Sequence, residues 1–382
     1  MFVSFLVSDV SSGYVVFSRW RSTLPYIRRD RESGIMHFIM SATTAKPRPS
    51  SNRKFALAAR PVGMPKESDF QLVSEPLSPL AEDQMLLRTQ YLSVDPYMRG
   101  RMTGVRSYAD PVNIGQLMVG GTVGEVLESR NPDFRVGEIV SGFWGWQEFA
   151  VSDGSGLRKI DPKLAPISTS LGVLGMTGMT AYFGFLEIGQ PKAGETVVVS
   201  GAAGAVGSLV GQIAKIKGCE VVGVAGSDEK VAWLTGELGF DAAFNYKATD
   251  DYVARFQQLC PNGVDCYFDN VGGAISDAIL SVINTKARIA ICGQISQYNL
   301  AKPEPGPRVF RYLLTKSARA EGFLVYNFAE RFPDGIAHMA KWMKEGKIKY
   351  RETIVEGFEN APRALIGVLS GENVGKMLVK MY

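Results

Sequence analysis

The chain has 382 residues, of which 46% are hydrophobic and 21% are charged, and its formal net charge is +4. This length is enough for two domains with cores of their own, and the composition is ordinary for a globular protein. Residues 1–52 hold seven Lys/Arg and three Asp/Glu, so the rest of the chain holds 35 of each, is neutral, and gives no charge signature of a nucleic-acid partner.

Residues 1–52 differ from the rest of the chain. The apolar run within 1–10 has no basic segment before it and no cleavage site after it, and the arginine-rich stretch 19–31 lacks an amphipathic period. We predict a disordered or non-native N-terminal extension, such as a gene-model artefact, with Met36 and Met40 as plausible alternative starts. A mitochondrial presequence is the alternative, although acidic residues interrupt it.

Short strands separated by glycine and proline follow from residue 53 to about 160, and they predict a small, mostly β, barrel-like domain. A long polar and aromatic loop, 95–115, interrupts them, and such loops carry function on a rigid scaffold. The strand segments are KFALAAR, FQLVSE, QMLLRTQYLSV, QLMVGGTVGEVLES and EIVSGFWGWQEFAVS.

The longest uncharged stretch is 164–186. It contains Pro166, four glycines and several Ser/Thr, which is unlike a membrane-spanning helix. We predict a buried linker and helix there, with a membrane span as the alternative, and no membrane partner.

The second half of the sequence is organised around 194–230. Valines 197–199 predict a buried parallel strand, and Ala202, Gly204 and Gly207 follow it in the spacing AxGxxG. The next helix repeats apolar residues at i, i+3, i+4 and i+7, and 220–224 predicts a second strand that closes a βαβ unit. Such a turn aims backbone N–H groups and a positive helix end at a pyrophosphate, so we predict a dinucleotide site; a glycine turn that binds nothing is the alternative.

The end of the second strand indicates which dinucleotide binds. An NAD site usually has an acidic residue there for the ribose 2′-hydroxyl, whereas this chain has Ala225, Gly226 and Ser227. Lys230 supplies a cation for a 2′-phosphate, and Tyr246 can cover the adenine or donate to the same phosphate. We therefore predict NADPH/NADP+ as the cofactor. The alternative is a solvated Lys230 in a helix capped by Ser227.

Strands and helices alternate from about 175 to 345, which predicts an α/β domain with a parallel sheet. The strand-to-loop units 264–273 and 287–299 should deliver their loops to the cofactor crevice, so we expect Asn270 and loop 293–299 to line it. After about 345 the sequence reads as strand, helix and strand, which we expect to return to the first domain.

Cysteine and histidine are scarce. The four cysteines lie between 219 and 292 without CxxC spacing, which is typical of reduced thiols in a cytoplasmic protein. Residues 38–218 contain neither Cys nor His, so we predict no metal site.

With these motifs in place, the chain resembles the zinc-independent medium-chain dehydrogenase/reductases. It is most similar to the NADPH-dependent alkenal/enone reductases, a group with prostaglandin, curcumin and plant double-bond reductases. The resemblance covers about 53–382, with Thr177 as a departure where many relatives have proline. It rests on DPYMRGRM, VGGTVGEV, LGVLGMTGMTAYFGF, SGAAGAVGSLVGQIAKIKGC, VVGVAGSDEKV, FNYK, DNVGG, ICGQISQYN and ENVGK.

The resemblance implies a GroES-like β-barrel catalytic domain at 53–174, completed by 346–382, and a Rossmann doubly wound parallel-sheet domain at 175–345. It implies a homodimer and hydride transfer from NADPH to the β-carbon of an enone or enal. It places Tyr97, Tyr108 and Tyr298 at the substrate. The implied cofactor residues are Gly204, Ala205, Val206, Gly207, Lys230, Tyr246, Asn270, Cys292, Gly293, Ile295, Ser296, Tyr298, Phe323, Leu324, Val325 and Asn373.

The chemistry of this reaction needs hydrogen-bond donors at the developing enolate oxygen and a proton source for the α-carbon. A tyrosine hydroxyl can serve because it stays protonated at pH 7, with a reference pKa of ~10, and because its ring suits an apolar pocket. We expect Tyr298 to be this donor, with Tyr97 and then Tyr108 as alternatives. A quinone reductase, or an NADPH-binding protein with little turnover, are the alternative functions.

Overall fold

The structure is a computed structural model that describes residues 26–29, 36–39 and 48–382. The chain separates into two units, Met1–Arg48 and Pro49–Tyr382. In the first unit, Tyr26–Arg29 (β1) and Met36–Ile39 (β2) pair as an antiparallel hairpin. The other residues of the predicted extension before residue 48 lie outside the described residues.

A six-stranded sheet forms the α/β part of the second unit, and all its neighbouring strands are parallel. Its strand order, third–second–first–fourth–fifth–sixth, is that of a doubly wound dinucleotide-binding fold. The strands are Thr196–Val199 (β10), Glu220–Ala225 (β11), Ala242–Asn245 (β12), Val264–Asp269 (β13), Ile283–Ile291 (β14) and Arg319–Gly322 (β15).

Helices cover both faces of this sheet. Val197 and Val199 pack into one apolar cluster and Val198 into another, because successive strand residues point to opposite faces. Leu209, Val210 and Ile213 are buried in the first cluster, which confirms the predicted helix stripe. The helices are Gly207–Ile216 (α3), Asp228–Gly236 (α4), Tyr252–Leu259 (α5), Gly273–Val282 (α6), Val309–Lys316 (α7) and Phe332–Lys344 (α8).

A seven-stranded sheet forms the other part of the second unit. The strands that precede the parallel sheet are Ser51–Leu57 (β3), Phe70–Pro76 (β4), Met85–Ser93 (β5), Thr122–Ser129 (β6), Ile139–Gly142 (β7), Phe149–Ser152 (β8) and Arg158–Ile160 (β9), and those that follow it are Glu352–Glu356 (β16) and Lys376–Lys380 (β17). The order in the seven-stranded sheet is β16-β17-β5-β6-β7-β9, with β8 paired to β5, and β3 pairs with β4 beside it. The short helix Tyr97–Arg101 (α1) follows β5. The two parts together confirm the predicted fold class.

The C-terminal segment returns to the seven-stranded sheet. Glu352–Glu356 (β16) pairs parallel with Lys376–Lys380 (β17), which in turn pairs antiparallel with β5, while Ala361–Leu369 (α9) connects the two. The backbone N–H of Gly375 donates to the carbonyl of Ala203 at 2.8 Å, so β17 begins beside the glycine turn. The domain boundaries at 174 and 345 remain predictions.

Two predicted strand segments differ in detail from the structure. Segment 138–152 forms β7 and β8 rather than one strand, because Gly145 has a φ of 79° and Trp146 leaves the ladder to bond Met118. At the start of the barrel, β3 begins at Ser51, two residues before the predicted boundary. Asn52 is buried there and donates to Gln147 at 2.9 Å.

The uncharged stretch 164–186 forms a 3₁₀ turn, Ile167–Leu171, and a helix, Met176–Phe183 (α2). Most of its apolar side chains pack into the core beneath the parallel sheet. Within the described residues, no helix is both long enough and apolar enough to cross a membrane.

Candidate active site

One cavity of about 1230 Å³ collects residues from the parallel sheet, the barrel part and the C-terminal segment. All the residues that the sequence analysis assigned to the cofactor or the substrate lie in its lining, although their individual roles remain predictions. These are Tyr97, Tyr108, Gly204, Ala205, Val206, Gly207, Lys230, Tyr246, Asn270, Cys292, Gly293, Ile295, Ser296, Tyr298, Phe323, Leu324, Val325 and Asn373.

The glycine turn, residues 201–207, connects β10 to α3 at the edge of the cavity. A Cβ on Gly207 would lie 2.4 Å from the carbonyl oxygen of Gly201, so only glycine fits there. Gly201 has a φ of 57°, a requirement that the AxGxxG spacing did not reveal. No side chain caps the N-terminus of α3. The N–H groups of Ser208 and Leu209 already donate to the carbonyls of Gly204 and Val206, at 3.1 Å each, which leaves that of Gly207 to bind an anion. This cradle fits a pyrophosphate.

Two lysines and a tyrosine define what we call the phosphate end of the cavity: Lys230, Tyr246 and Lys247. Lys230 Nζ donates to the carbonyl of Gly371 at 2.5 Å, which fixes its ammonium at the lining. Burial, and then repulsion from Lys247, lowers the pKa of Lys230. A 2′-phosphate would relieve the repulsion between these two cations.

Neighbouring residues also favour a phosphate over a free ribose hydroxyl. Ser227 caps α4 by accepting a hydrogen bond from the backbone N–H of Lys230. The alternative prediction, a solvated Lys230, included this cap, yet Lys230 lines the cavity. Asp228, the nearest acidic candidate for a 2′-hydroxyl, accepts instead from Asn245 at 3.0 Å. The phosphate end therefore combines two cations with an acidic side chain that is engaged elsewhere.

A buried carboxylate, Asp269, organises the loop after β13, and residues of that loop line the cavity. Asp269 accepts hydrogen bonds from Tyr267 at 2.9 Å and Ser276 at 2.7 Å, and from the backbone N–H groups of Val271 and Gly272. A separate hydrogen bond, from Asn270 Nδ2 to the carbonyl of Ser200 at 2.7 Å, joins this loop to the residue just before the glycine turn. In this structure Asn270 thus bonds the backbone where the turn begins.

Three tyrosines, Tyr97, Tyr108 and Tyr298, also line the cavity. The hydroxyl of Tyr298 accepts from the backbone N–H of Gln294 at 3.2 Å, which leaves its own proton free to donate. Burial raises the pKa of Tyr298, and burial followed by the charge of Asp95 raises that of Tyr97 well above its usual value. Tyr108 is 56% exposed, so it is the least enclosed of the three donors.

Sequence reasoning missed other groups in the same lining. Tyr326 lies 6.4 Å from Phe143, ring to ring, and these two with Tyr97, Tyr108 and Tyr298 form what we call the tyrosine end. Lys247 and Arg101 stood in the quoted motifs FNYK and DPYMRGRM without being assigned a role. Local spacing carries no signal that their side chains reach a cavity.

A buried ion pair also borders the cavity. Lys376 Nζ lies 3.3 Å from Asp95 Oδ1 and donates to the carbonyls of Val94 at 2.8 Å and Met377 at 2.7 Å. Ser93 Oγ donates to the other carboxylate oxygen of Asp95. Both ionic residues are 4% exposed, and burial lowers the pKa of Lys376 while Asp95 opposes this shift. The pair ties the start of α1 to β17.

Thr177, the departure from many relatives, lies at the start of α2 in the cavity lining. Its Oγ1 donates to the carbonyl of Gly172 at 3.0 Å, and the side chain is buried. This hydrogen bond stabilises the turn without the ring of a proline.

Comparisons with known proteins agree with this geometry. Residues 53–160 match the family described as the N-terminal domain of oxidoreductase, and 205–341 match the family described as zinc-binding dehydrogenase. Within the described residues, however, no group of three or more His, Cys, Asp or Glu could hold a metal ion.

Individual relatives span nearly the whole second unit. The chain is 48% identical to the NADPH-dependent curcumin reductase of Escherichia coli over 335 residues, covering 86% of this chain and 97% of that protein. It is 45% identical to the 2-alkenal reductase (NADP(+)-dependent) of Nicotiana tabacum, with the same coverage. The crystal structure of CurA in complex with NADPH from Vibrio vulnificus superposes with a TM-score of 0.83 at 47% identity, covering 86% of this chain and 99% of that one. The chain therefore belongs to the zinc-independent medium-chain dehydrogenase/reductases, in the group of alkenal/enone reductases.

Proposed function

We propose that the protein uses NADPH to reduce the carbon–carbon double bond of α,β-unsaturated aldehydes and ketones. The observation that carries the proposal is that one cavity joins a phosphate end with two cations to a tyrosine end with free hydroxyl donors. The names of the relatives support it, because one is an NADPH-dependent curcumin reductase and another is an NADP(+)-dependent 2-alkenal reductase.

The residues present fit the cofactor. The glycine turn and the uncapped N-terminus of α3 would hold the pyrophosphate, and Lys230 with Tyr246 would hold the 2′-phosphate. NADPH, when bound, supplies the hydride that goes to the β-carbon. Asn270, Cys292 and the loop to Tyr298 would then border the path between the two ends.

The tyrosine end would stabilise the negative charge that develops on the carbonyl oxygen. In the proposed mechanism Tyr298 donates its hydroxyl proton toward the enolate, and the α-carbon takes up a proton from the same hydroxyl or from solvent. Tyr97 offers a second donor, since its hydroxyl has no hydrogen bond to the described residues. The raised pKa values of both keep them protonated at neutral pH.

A substrate panel followed by NADPH absorbance tests the proposal. Enals and enones should be reduced at the double bond, with product analysis showing a saturated carbonyl rather than an alcohol. Faster reduction of quinones than of every enone would make the protein a quinone reductase. Tight NADPH binding with no oxidation across the panel would make it a binding protein.

Replacing Lys230 by alanine should weaken NADPH much more than NADH. Hydrogen bonds to charged groups contribute about 1.5–3 kcal/mol, so the KM for NADPH should rise ~10–100-fold while that for NADH changes less than about twofold. Steady-state kinetics with each cofactor measure this difference. Lys217→Ala, which removes an exposed lysine outside the cavity lining, is the control for the charge change. Equal effects of Lys230→Ala on both cofactors would contradict the assignment.

Activity should survive exhaustive chelation. The barrel part has no Cys or His to bind a catalytic zinc. The tyrosine end supplies hydrogen-bond donors to the carbonyl oxygen, which a zinc ion would otherwise polarise. Rates before and after prolonged dialysis against a chelator should agree within error. Stoichiometric zinc in the active protein, by elemental analysis, would contradict this expectation.

We also propose a homodimer in the cytoplasm. The unpaired state of Cys219, Cys260, Cys266 and Cys292 supports a reducing compartment. Light scattering on the purified protein tests the assembly, and a mass of one chain would contradict it. Cell fractionation tests the location.

A further inference from the structure

A buried arginine links three segments next to the tyrosine end. Arg99, on α1, donates from Nε to Asn299 Oδ1 at 3.0 Å, and from Nη2 to the carbonyls of Pro61 at 3.2 Å and Gly63 at 3.0 Å. Asn299 in turn donates to Met64 Sδ at 3.4 Å. Arg99 therefore joins helix α1, the 61–64 loop and the turn that follows β14.

Burying the guanidinium of Arg99 is energetically unfavourable. The residue is 5% exposed, its acceptors are all neutral, and within the described part of the chain it has no carboxylate in ion-pair range. Its Nη1 is buried with no hydrogen-bond partner, and burial lowers the pKa of Arg99, a shift that the charge of Asp69 opposes without an ion pair. A buried cation with these partners contributes little to stability compared with an apolar side chain of similar size. The contribution of Arg99 therefore lies in how it positions the segments that it joins.

The segments that Arg99 joins carry two tyrosines, each in an element that follows a strand of a different sheet. Tyr97 is two residues before Arg99 on α1, which follows β5 of the barrel part. Tyr298 immediately precedes Asn299, in the turn after β14 of the parallel sheet. The hydrogen bond between Arg99 and Asn299 is thus a direct side-chain tie between the two segments that carry these hydroxyls.

We infer that Arg99 and Asn299 are positioning residues that set the spacing between the Tyr97 and Tyr298 hydroxyls. The inference rests on the proposed function for its catalytic consequence. Two donors that must meet one carbonyl oxygen tolerate little error, and a misplacement of about 1 Å can lower a rate by ~10². Neither Arg99 nor Asn299 touches the substrate in this scheme.

The test uses Arg99→Met, Asn299→Ala and the double variant in the full chain. Each single change should lower kcat for an enone by ~10–100-fold and leave the dissociation constant of NADPH, from quenching of tryptophan fluorescence, within about twofold. The double variant should be no slower than the slower single variant, because both changes break the same link. Arg99→Lys should restore only part of kcat, since an ammonium cannot reproduce the fork of donors.

Arg60→Met is the matched control. Arg60 also donates to backbone carbonyls of the same region, those of Met102 and Val112, but it does not reach the turn after β14. This control should keep kcat within about threefold, as expected for a surface substitution that does not enter the tie.

Hydrogen exchange separates positioning from general destabilisation. In Arg99→Met, amide exchange should accelerate in residues 293–300 and 61–64 and stay unchanged in β10 and β13. Unchanged exchange in 293–300, or losses of kcat that multiply in the double variant, would overturn the inference. If the wild-type protein reduces no enone, the proposed function fails, while the exchange data still decide whether Arg99 ties the two segments.

Discussion

Tyr298→Phe should lower kcat for enone reduction by ~10²–10³ while leaving NADPH binding nearly intact. Loss of one donor to a developing oxyanion typically costs about 2.7–4 kcal/mol in the transition state. The hydroxyl of Tyr298 is held by the backbone N–H of Gln294, and phenylalanine keeps the ring but removes the donor. Single-turnover rates with a saturating enone measure the chemical step directly.

Two further variants, Tyr108→Phe and Tyr97→Phe, test whether Tyr298 is the donor. Tyr108→Phe serves as the control, because its exposed hydroxyl should contribute far less. If Tyr298→Phe keeps full kcat while Tyr97→Phe loses it, the donor is on α1 and the assigned roles are reversed. A smaller loss in Tyr298→Phe is expected only if Tyr97 or water shares the role.

The pH dependence of kcat follows from the same tyrosine. Burial raises the pKa of Tyr298 above its usual value of ~10, so the donating, protonated form persists throughout the neutral range and is lost only at higher pH. We expect no fall in kcat from this group between about pH 6 and 9. An alkaline limb centred near pH 7 would point to a different donor.

Asp95→Asn should destabilise the fold by about 3–5 kcal/mol, because it leaves the ammonium of Lys376 buried without its counter-charge. Urea unfolding without cofactor measures the change in the free energy of unfolding. The double variant Asp95→Asn/Lys376→Met should recover most of the loss, since it removes both buried charges. Additive effects of Asp95→Asn and Lys376→Met would contradict the coupling.

The features that the sequence predicted depend on residues that lie close together along the chain. The AxGxxG turn, the apolar stripe of α3 and the proposed pairing of Lys230 with Tyr246 follow from residues within about fifty positions of one another, and parallel strands bring their C-terminal loops to one edge. The fold class followed from the alternation of strand and helix, together with the family resemblance, whereas the order of the strands came from the structure.

What the sequence could not predict depends on contacts between distant segments. The bond from Arg99 to Asn299 joins residues 200 positions apart, and that from Lys376 to Val94 joins residues 282 positions apart. No periodicity or spacing in the sequence indicates such pairs, because each residue fits the local pattern of its own segment without its partner. Tyr326 was missed for the same reason, since the 3₁₀ turn that carries it, Val325–Arg331, has no motif of its own.

The position of β17 in its sheet sets an order of events during synthesis. Leu378 pairs with Ser93, and β17 lies between β16 and β5, so the centre of the barrel sheet is assembled from both ends of the second unit. On the ribosome, β5 is synthesised long before β17, and all strands of the parallel sheet are synthesised between these two. The dinucleotide-binding part can therefore fold while the barrel part still waits with an unpaired strand edge, which is the kind of exposed surface that chaperones protect.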